Sequence, residues 1–153
     1  MPKVDLPLIA ESSRTGYPPP FDREVAGRRY RRLAPATGIE DFGASLVRLE
    51  PGAWSSQRHW HEGEDELLVM IEGEAMLVED ESRTLLKPGD VAAFPKGNPN
   101  GHHLINESKT DCKFLVVGGG TPMGGTYSDV DMIFTADGNY EHKDGTPYPA
   151  RRV

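Results

Sequence analysis

No uninterrupted run of aliphatic residues and methionine in this chain is longer than the five of Leu67 to Ile71, LLVMI. That length suits a strand and falls far short of the roughly 20 apolar residues that a membrane-spanning helix needs. Seventeen glycines and thirteen prolines punctuate the rest, and both residues close turns and interrupt helices. Between them lie short segments with strand-like alternation. Residues 42 to 50, FGASLVRLE, stop at the Pro51-Gly52 turn, and Asp90 to Phe94 follow the Pro88-Gly89 turn. Met76 to Val78 and Arg83 to Leu86 flank an acidic loop as a hairpin pair; Cys112 to Val117 and Asp131 to Phe134 complete the set. No segment holds a helical period over the length of a helix. Eight to ten short strands predict an all-β fold, a jelly-roll β-barrel.

The 153 residues suffice for one domain with a sizeable core, placed at 28–153. Residues 1–27 carry Pro2, Pro7 and Pro18-Pro19-Pro20, which predict an extended arm lying across its own barrel or a partner subunit. Residues 1 to 15 read equally well as a disordered tail. The net charge of −7 argues against a nucleic-acid partner. The single cysteine, Cys112, forms no internal disulfide and fits a reducing compartment, and the N-terminus lacks the apolar stretch of a secretion signal. A cytoplasmic protein is the expectation. The basic run GRRYRRL (27 to 33) reads as a strand whose arginines sit in solvent or pair with the chain's own carboxylates, with an anion contact as the alternative.

Chemistry concentrates in two histidine stretches. In GAWSSQRHWHEGEDELLVMIEG (52 to 73), His59 and His61 share one face of a strand. Glu66 stands five positions after His61 and would face the other way, unless a bend at Gly63 resets the register before a second strand begins. Residues 89 to 106, GDVAAFPKGNPNGHHLIN, add adjacent His102 and His103. Together the stretches resemble the cupin superfamily, in particular small single-domain bacterial cupins of undefined function. Gly52, His59, His61, Glu66 and Gly73 follow its first motif, with one extra residue after Gly52. Gly89, Pro95, Gly97, His102 and Asn106 follow its second, with two extra residues before the histidine. The resemblance implies a metal site made of His59, His61, Glu66 and His102. His102 is favoured over His103 by its spacing to Asn106, and His103 would face away.

Three imidazoles and a carboxylate suit one divalent first-row transition metal: Fe, Mn, Zn, Ni, Co or Cu. Gln57 shares parity with the two histidines and either faces the metal or, with Arg58, finishes a loop. Trp60 should face away, Glu64 and Asp65 should be loop surface, and Asn106 should bond backbone. Tyr127, Tyr140 and Tyr148 are candidates for a general acid at the mouth, though nothing marks a catalytic residue. GGGTPMGG (118 to 125) lacks a dinucleotide fingerprint and reads as a flexible connection. Leu67, Val69 and Ile71 need cover if their neighbours look inward, and a homodimer is the expected source. Three functional classes stay open: a metal-dependent enzyme on a small oxygen-rich or acidic molecule (dioxygenase, isomerase, lyase or decarboxylase), a non-catalytic small-ligand binding or sensing module, and a structural barrel.

Overall fold

The computed structural model describes residues 2–150. Its strands run β1 Arg28–Arg32, β2 Gly43–Leu49, β3 His59–His61, β4 Glu64–Glu72, β5 Ala75–Val78, β6 Arg83–Leu86, β7 Val91–Phe94, β8 His103–Ile105, β9 Cys112–Gly120, β10 Gly125–Tyr127, β11 Ile133–Phe134 and β12 Tyr140–Glu141. The predicted all-β jelly roll is what the chain forms. The only helices among the described residues are one 3₁₀ turn at Leu6–Leu8 and the five-residue α1, Leu33–Thr37, between β1 and β2. Gly38 ends α1 in the left-handed conformation, where its missing Cβ removes the usual penalty.

Three sheets result. The largest has the order β1-β2-β9-β4-β7; β12-β11-β10-β3 and β6-β5-β8 are the others. Adjacent strands within them pair antiparallel throughout. Alternation decides which side chains meet. Val47 lies opposite Phe114, Leu49 opposite Cys112 and Met70 opposite Phe114, and this inward row packs on Ala75, Leu77, Leu86 and Leu104 of the three-stranded sheet. Full burial of a side chain such as Phe114 contributes about 1.5–3 kcal/mol. Cys112, the one thiol, is fully buried here, and burial pushes it up to about 11, as befits a core residue rather than a nucleophile.

The proline-rich segment lies along its own barrel. Ser12 exchanges backbone hydrogen bonds with Tyr30 (2.9 Å each), and Arg48 grips Glu11. Tyr17 and Val25 enter a second buried cluster with Tyr127 and Met132, against which Phe21, Trp54 and Tyr140 pack. Two local differences from expectation have physical causes. β4 begins at Glu64, not Glu66, because the bend takes only Glu62 and Gly63. The glycines at 118–120 continue β9 as a paired strand instead of forming a loose connection. Side chains there would crowd close neighbours: a Cβ on Gly120 would sit 2.3 Å from the Gly63 carbonyl oxygen, and one on Gly118 would be 3.1 Å from that of Asp65.

Outside the barrel, Leu67, Ile71 and Val91 remain exposed on the largest sheet. No helix among the described residues is long and apolar enough to cross a membrane.

Candidate metal centre

The two histidines of β3 point to one side, and the Glu62–Gly63 bend turns β4 so that Glu66 points to the same place. Gly63 is needed for this, since a Cβ there would lie 2.1 Å from the Thr121 carbonyl oxygen. A backbone bridge brings in the second histidine stretch: the His59 amide donates to His102 oxygen at 3.2 Å and the His102 amide to His59 oxygen at 2.9 Å. The extra residues before His102 do not displace it, because Asn100 is tied to the β5–β6 hairpin. Its Oδ1 accepts from the Asp80 amide at 2.9 Å and its Nδ2 donates to Glu79 at 3.2 Å.

Three donor side chains therefore converge, and a fourth, His102, stands against Glu66. His59 Nε2 is 3.2 Å from His61 Nε2; His102 Nε2 is 3.0 Å from Glu66 Oε1; His61 Nε2 is 3.4 Å from Glu66 Oε2. Donor atoms of His59, His61 and Glu66 all lie within 4.8 Å of one another. Adjacent ligands at right angles around an ion with bonds near 2.1 Å stand about 3 Å apart, so these separations fit a metal.

Protonation fits as well. His59 Nδ1–H donates to the Gln57 carbonyl at 2.9 Å, which turns the Nε2 lone pair toward its neighbours. Burial, aided by the adjacent His102, lowers the His59 imidazole to about 4, so it stays neutral. Burial works against ionisation of Glu66, but hydrogen bonds from His102 and His61 outweigh it and hold the carboxyl well below the usual range. His61 Nδ1 is buried with no hydrogen-bond partner among the described residues.

The other candidates sort plainly. His103 turns away from the cluster: its Nδ1–H donates to the Ser56 carbonyl at 2.8 Å and its ring meets Trp54 edge-on. His102 stacks flat on Phe94 at 3.5 Å. Gln57 finishes the loop, its amide donating to the Phe21 carbonyl and Glu24 while its own carbonyl orients His59. Arg58 ties that loop to Asp129 at 2.8 Å and to Asp80. Asp65 is exposed and accepts from the Lys96 amide. Asn106, fully buried, donates to the carbonyls of Leu49 and Thr110 and accepts from the Ser108 amide, the backbone role expected of it.

A cavity of about 360 Å³ adjoins the donors, lined by His59, His61, Glu66 and His102 together with Leu68, Leu104, Phe114 and Val116. Its size lies at the low end for small-molecule sites, which run from roughly 300 to 1,000 Å³. Tyr127, Tyr140 and Tyr148 do not line it. The Tyr127 ring lies tilted at 45° to that of His59, centroids 5.7 Å apart, and the Tyr148 hydroxyl donates to the Asp131 carbonyl. Tyr17, Tyr30, Arg28 and Ser45 line it instead. Sequence reasoning passed over these four, although strand parity in GRRYRRL puts Arg28 and Tyr30 on one face.

A family model for the cupin domain matches residues 45–118. Among solved structures, a sugar phosphate isomerase of the cupin superfamily from Silicibacter pomeroyi shares 44% identity, with a TM-score of 0.91 over 97% of this chain and 98% of that one. A protein from Acidithiobacillus ferrooxidans, described as a candidate sugar phosphate isomerase, is 22% identical at a TM-score of 0.69 over 84% of each chain and shares the fold. A cupin 2 conserved barrel domain protein from Salinispora arenicola is 29% identical, with a TM-score of 0.52 over 60% of this chain and 75% of that one. A search of curated proteins finds no match.

Proposed function

Because this chain belongs to the cupin superfamily, we propose that it is a metal-dependent enzyme acting on a small oxygen-rich or acidic molecule, with His59, His61, Glu66 and His102 as the ligands. One observation carries the reading: His59, His61 and Glu66 from two sheets converge at ligand-like separations, with His102 against Glu66, beneath a cavity sized for a small molecule. A divalent first-row metal bound there would polarise a substrate oxygen and so acidify a proton beside it. Around it the chain's own groups hold position. The Gln57 carbonyl keeps the His59 tautomer fixed, and Phe94 keeps the His102 ring flat. Leu68, Phe114 and Val116 give the cavity an apolar lining beside the donors.

Of the reactions open to such a site, isomerisation has the most support, because the relative at 44% identity is described as a sugar phosphate isomerase. Incubating the metal-loaded protein with aldose and ketose phosphates and following interconversion by proton NMR tests this. Turnover that disappears on chelation and returns with added metal is the expected result. Saturable binding of these compounds without conversion would favour a non-catalytic binding module instead.

We further propose that the chain is a homodimer joined through the outer face of the largest sheet, where Leu67, Ile71 and Val91 are exposed. Sedimentation equilibrium should return twice the chain mass, and Leu67→Glu with Val91→Glu should return the monomer. A monomeric parent at micromolar concentration would refute it.

A further inference from the structure

Of the basic run on β1, Arg29 pairs with Glu50 at 3.3 Å, as the sequence suggested, whereas Arg31 donates to the Ile9 backbone carbonyl instead of a carboxylate. Arg28 behaves otherwise. It turns inward and lines the same cavity as the four donors. Nη1 donates to the Ser55 carbonyl at 2.9 Å and Nη2 to the Arg14 carbonyl at 3.4 Å, while the guanidinium lies 5.3 Å from the Tyr30 ring centre. These contacts hold the side chain in place and are made to backbone carbonyls, not to carboxylates. Nε–H is buried and has no hydrogen-bond partner among the described residues. A guanidinium offers five N–H groups in a planar fork, and the Nη hydrogens not used on the Ser55 and Arg14 carbonyls can meet the oxygens of an oxyanion. The connection to the donor cluster is short. Arg28 holds Ser55, and the next residue, Ser56, places its hydroxyl 3.2 Å from His59 Nδ1. The Ser45 hydroxyl lines the same space.

We propose that Arg28 is the specificity-determining residue of this cavity: it holds a phosphate or carboxylate group of the ligand while the oxygen-rich remainder lies over His59, His61, Glu66 and His102. The inference rests on the metal-centre reading for the second half of that statement and on Arg28 alone for the first. A half-buried, held cation beside apolar side chains favours anionic over neutral ligands, because an oxyanion gains charge-assisted hydrogen bonds that a neutral group cannot make.

The test is calorimetric titration of the purified protein with inorganic phosphate and, separately, with acetate, for the parent, Arg28→Met and Arg28→Lys. Saturable binding of at least one anion by the parent is expected, weakened on the order of tenfold or more in Arg28→Met. Arg28→Lys keeps the charge and loses the fork, and should fall between the two. It also serves as the reading if Arg28→Met, deprived of the Ser55 and Arg14 contacts, fails to fold. Phosphate as the tighter arm assigns a phosphoryl group to the ligand; acetate as the tighter arm assigns a carboxyl group. A parent that binds neither anion, or folded variants that bind as tightly as the parent, overturns the proposal. Metal content measured on the same samples scores the other reading separately. Arg28 supplies no donor, so both variants should keep the parent's metal, and a metal-free parent would sink the metal centre while leaving the anion result legible.

Discussion

His59→Ala should strip the protein of transition metal. The natively purified parent should carry close to one equivalent by elemental analysis, and the variant should carry little. The effect is large because His59 is the hub of the donor set: its Nε2 lies 3.2 Å from that of His61, and its backbone bridges to His102. Removing it leaves fewer ligands and a hole beside the rest, and losing one ligand of a first-row site typically costs orders of magnitude in affinity, more than the 10–100-fold of an outer contact. The two adjacent histidines supply an internal control. His102→Ala should release metal as His59→Ala does, because its Nε2 stands 3.0 Å from Glu66. His103→Ala should retain it, since that ring is occupied with Trp54 and the Ser56 carbonyl. Equal metal in parent and His59→Ala, or loss in His103→Ala alone, would defeat the assignment.

Gly63→Val should be nearly as damaging, although it touches no donor atom. A Cβ there meets the Thr121 carbonyl oxygen at 2.1 Å and the Met123 side chain at 2.7 Å, and the carbonyl is backbone that cannot rotate away. Thr121 also donates its amide to the Gly63 carbonyl, so the two chains are locked at this distance. Overpacking a site that can adjust costs about 1–3 kcal/mol; this one can relieve the clash only by moving the bend, so we expect about 3 kcal/mol or more in a urea titration. Moving the bend also carries Glu66 out of line with His59 and His61, so whatever folds should bind metal poorly. Gly89→Ala is the comparison. Gly89 has φ +94°, but a methyl group there would find no other atom within 4 Å, so only the backbone penalty of about 1–2 kcal/mol applies, with metal retained. A Gly63→Val protein as stable as Gly89→Ala and fully metal-loaded would show that the bend does not set the site.

Much of this could be read in advance because period-2 alternation and turn residues are local signals. FGASLVRLE became β2, the 76–86 hairpin became β5 and β6, and His-x-His pointed one way as parity requires. Even the reset at Gly63 was visible, since five residues separate His61 from Glu66 and only a bend reconciles them. What escaped was non-local. Nothing near Gly118 to Gly120 announces a strand; they are glycines because β4 and the Phe42 region press against them. Arg28 was weighed as one of a basic cluster, and its separation from Arg29 depends on which face of β1 meets the barrel, a fact held by β2 rather than by β1. Tyr17 reached the cavity wall only because the arm folds back, and no pattern in residues 1–27 specifies where it docks.

The donors are distributed over the architecture in a particular way. His59 and His61 belong to the sheet that carries the C-terminal strands, Glu66 to the five-stranded sheet, and His102 adjoins the three-stranded one. An ion seated among them would tie these layers together, and occupancy would then add to rigidity. At a hundredfold excess over its dissociation constant such an ion adds about 2.7 kcal/mol to the native state. On that reading, metal supply would set how long the folded molecule lasts as well as what it does.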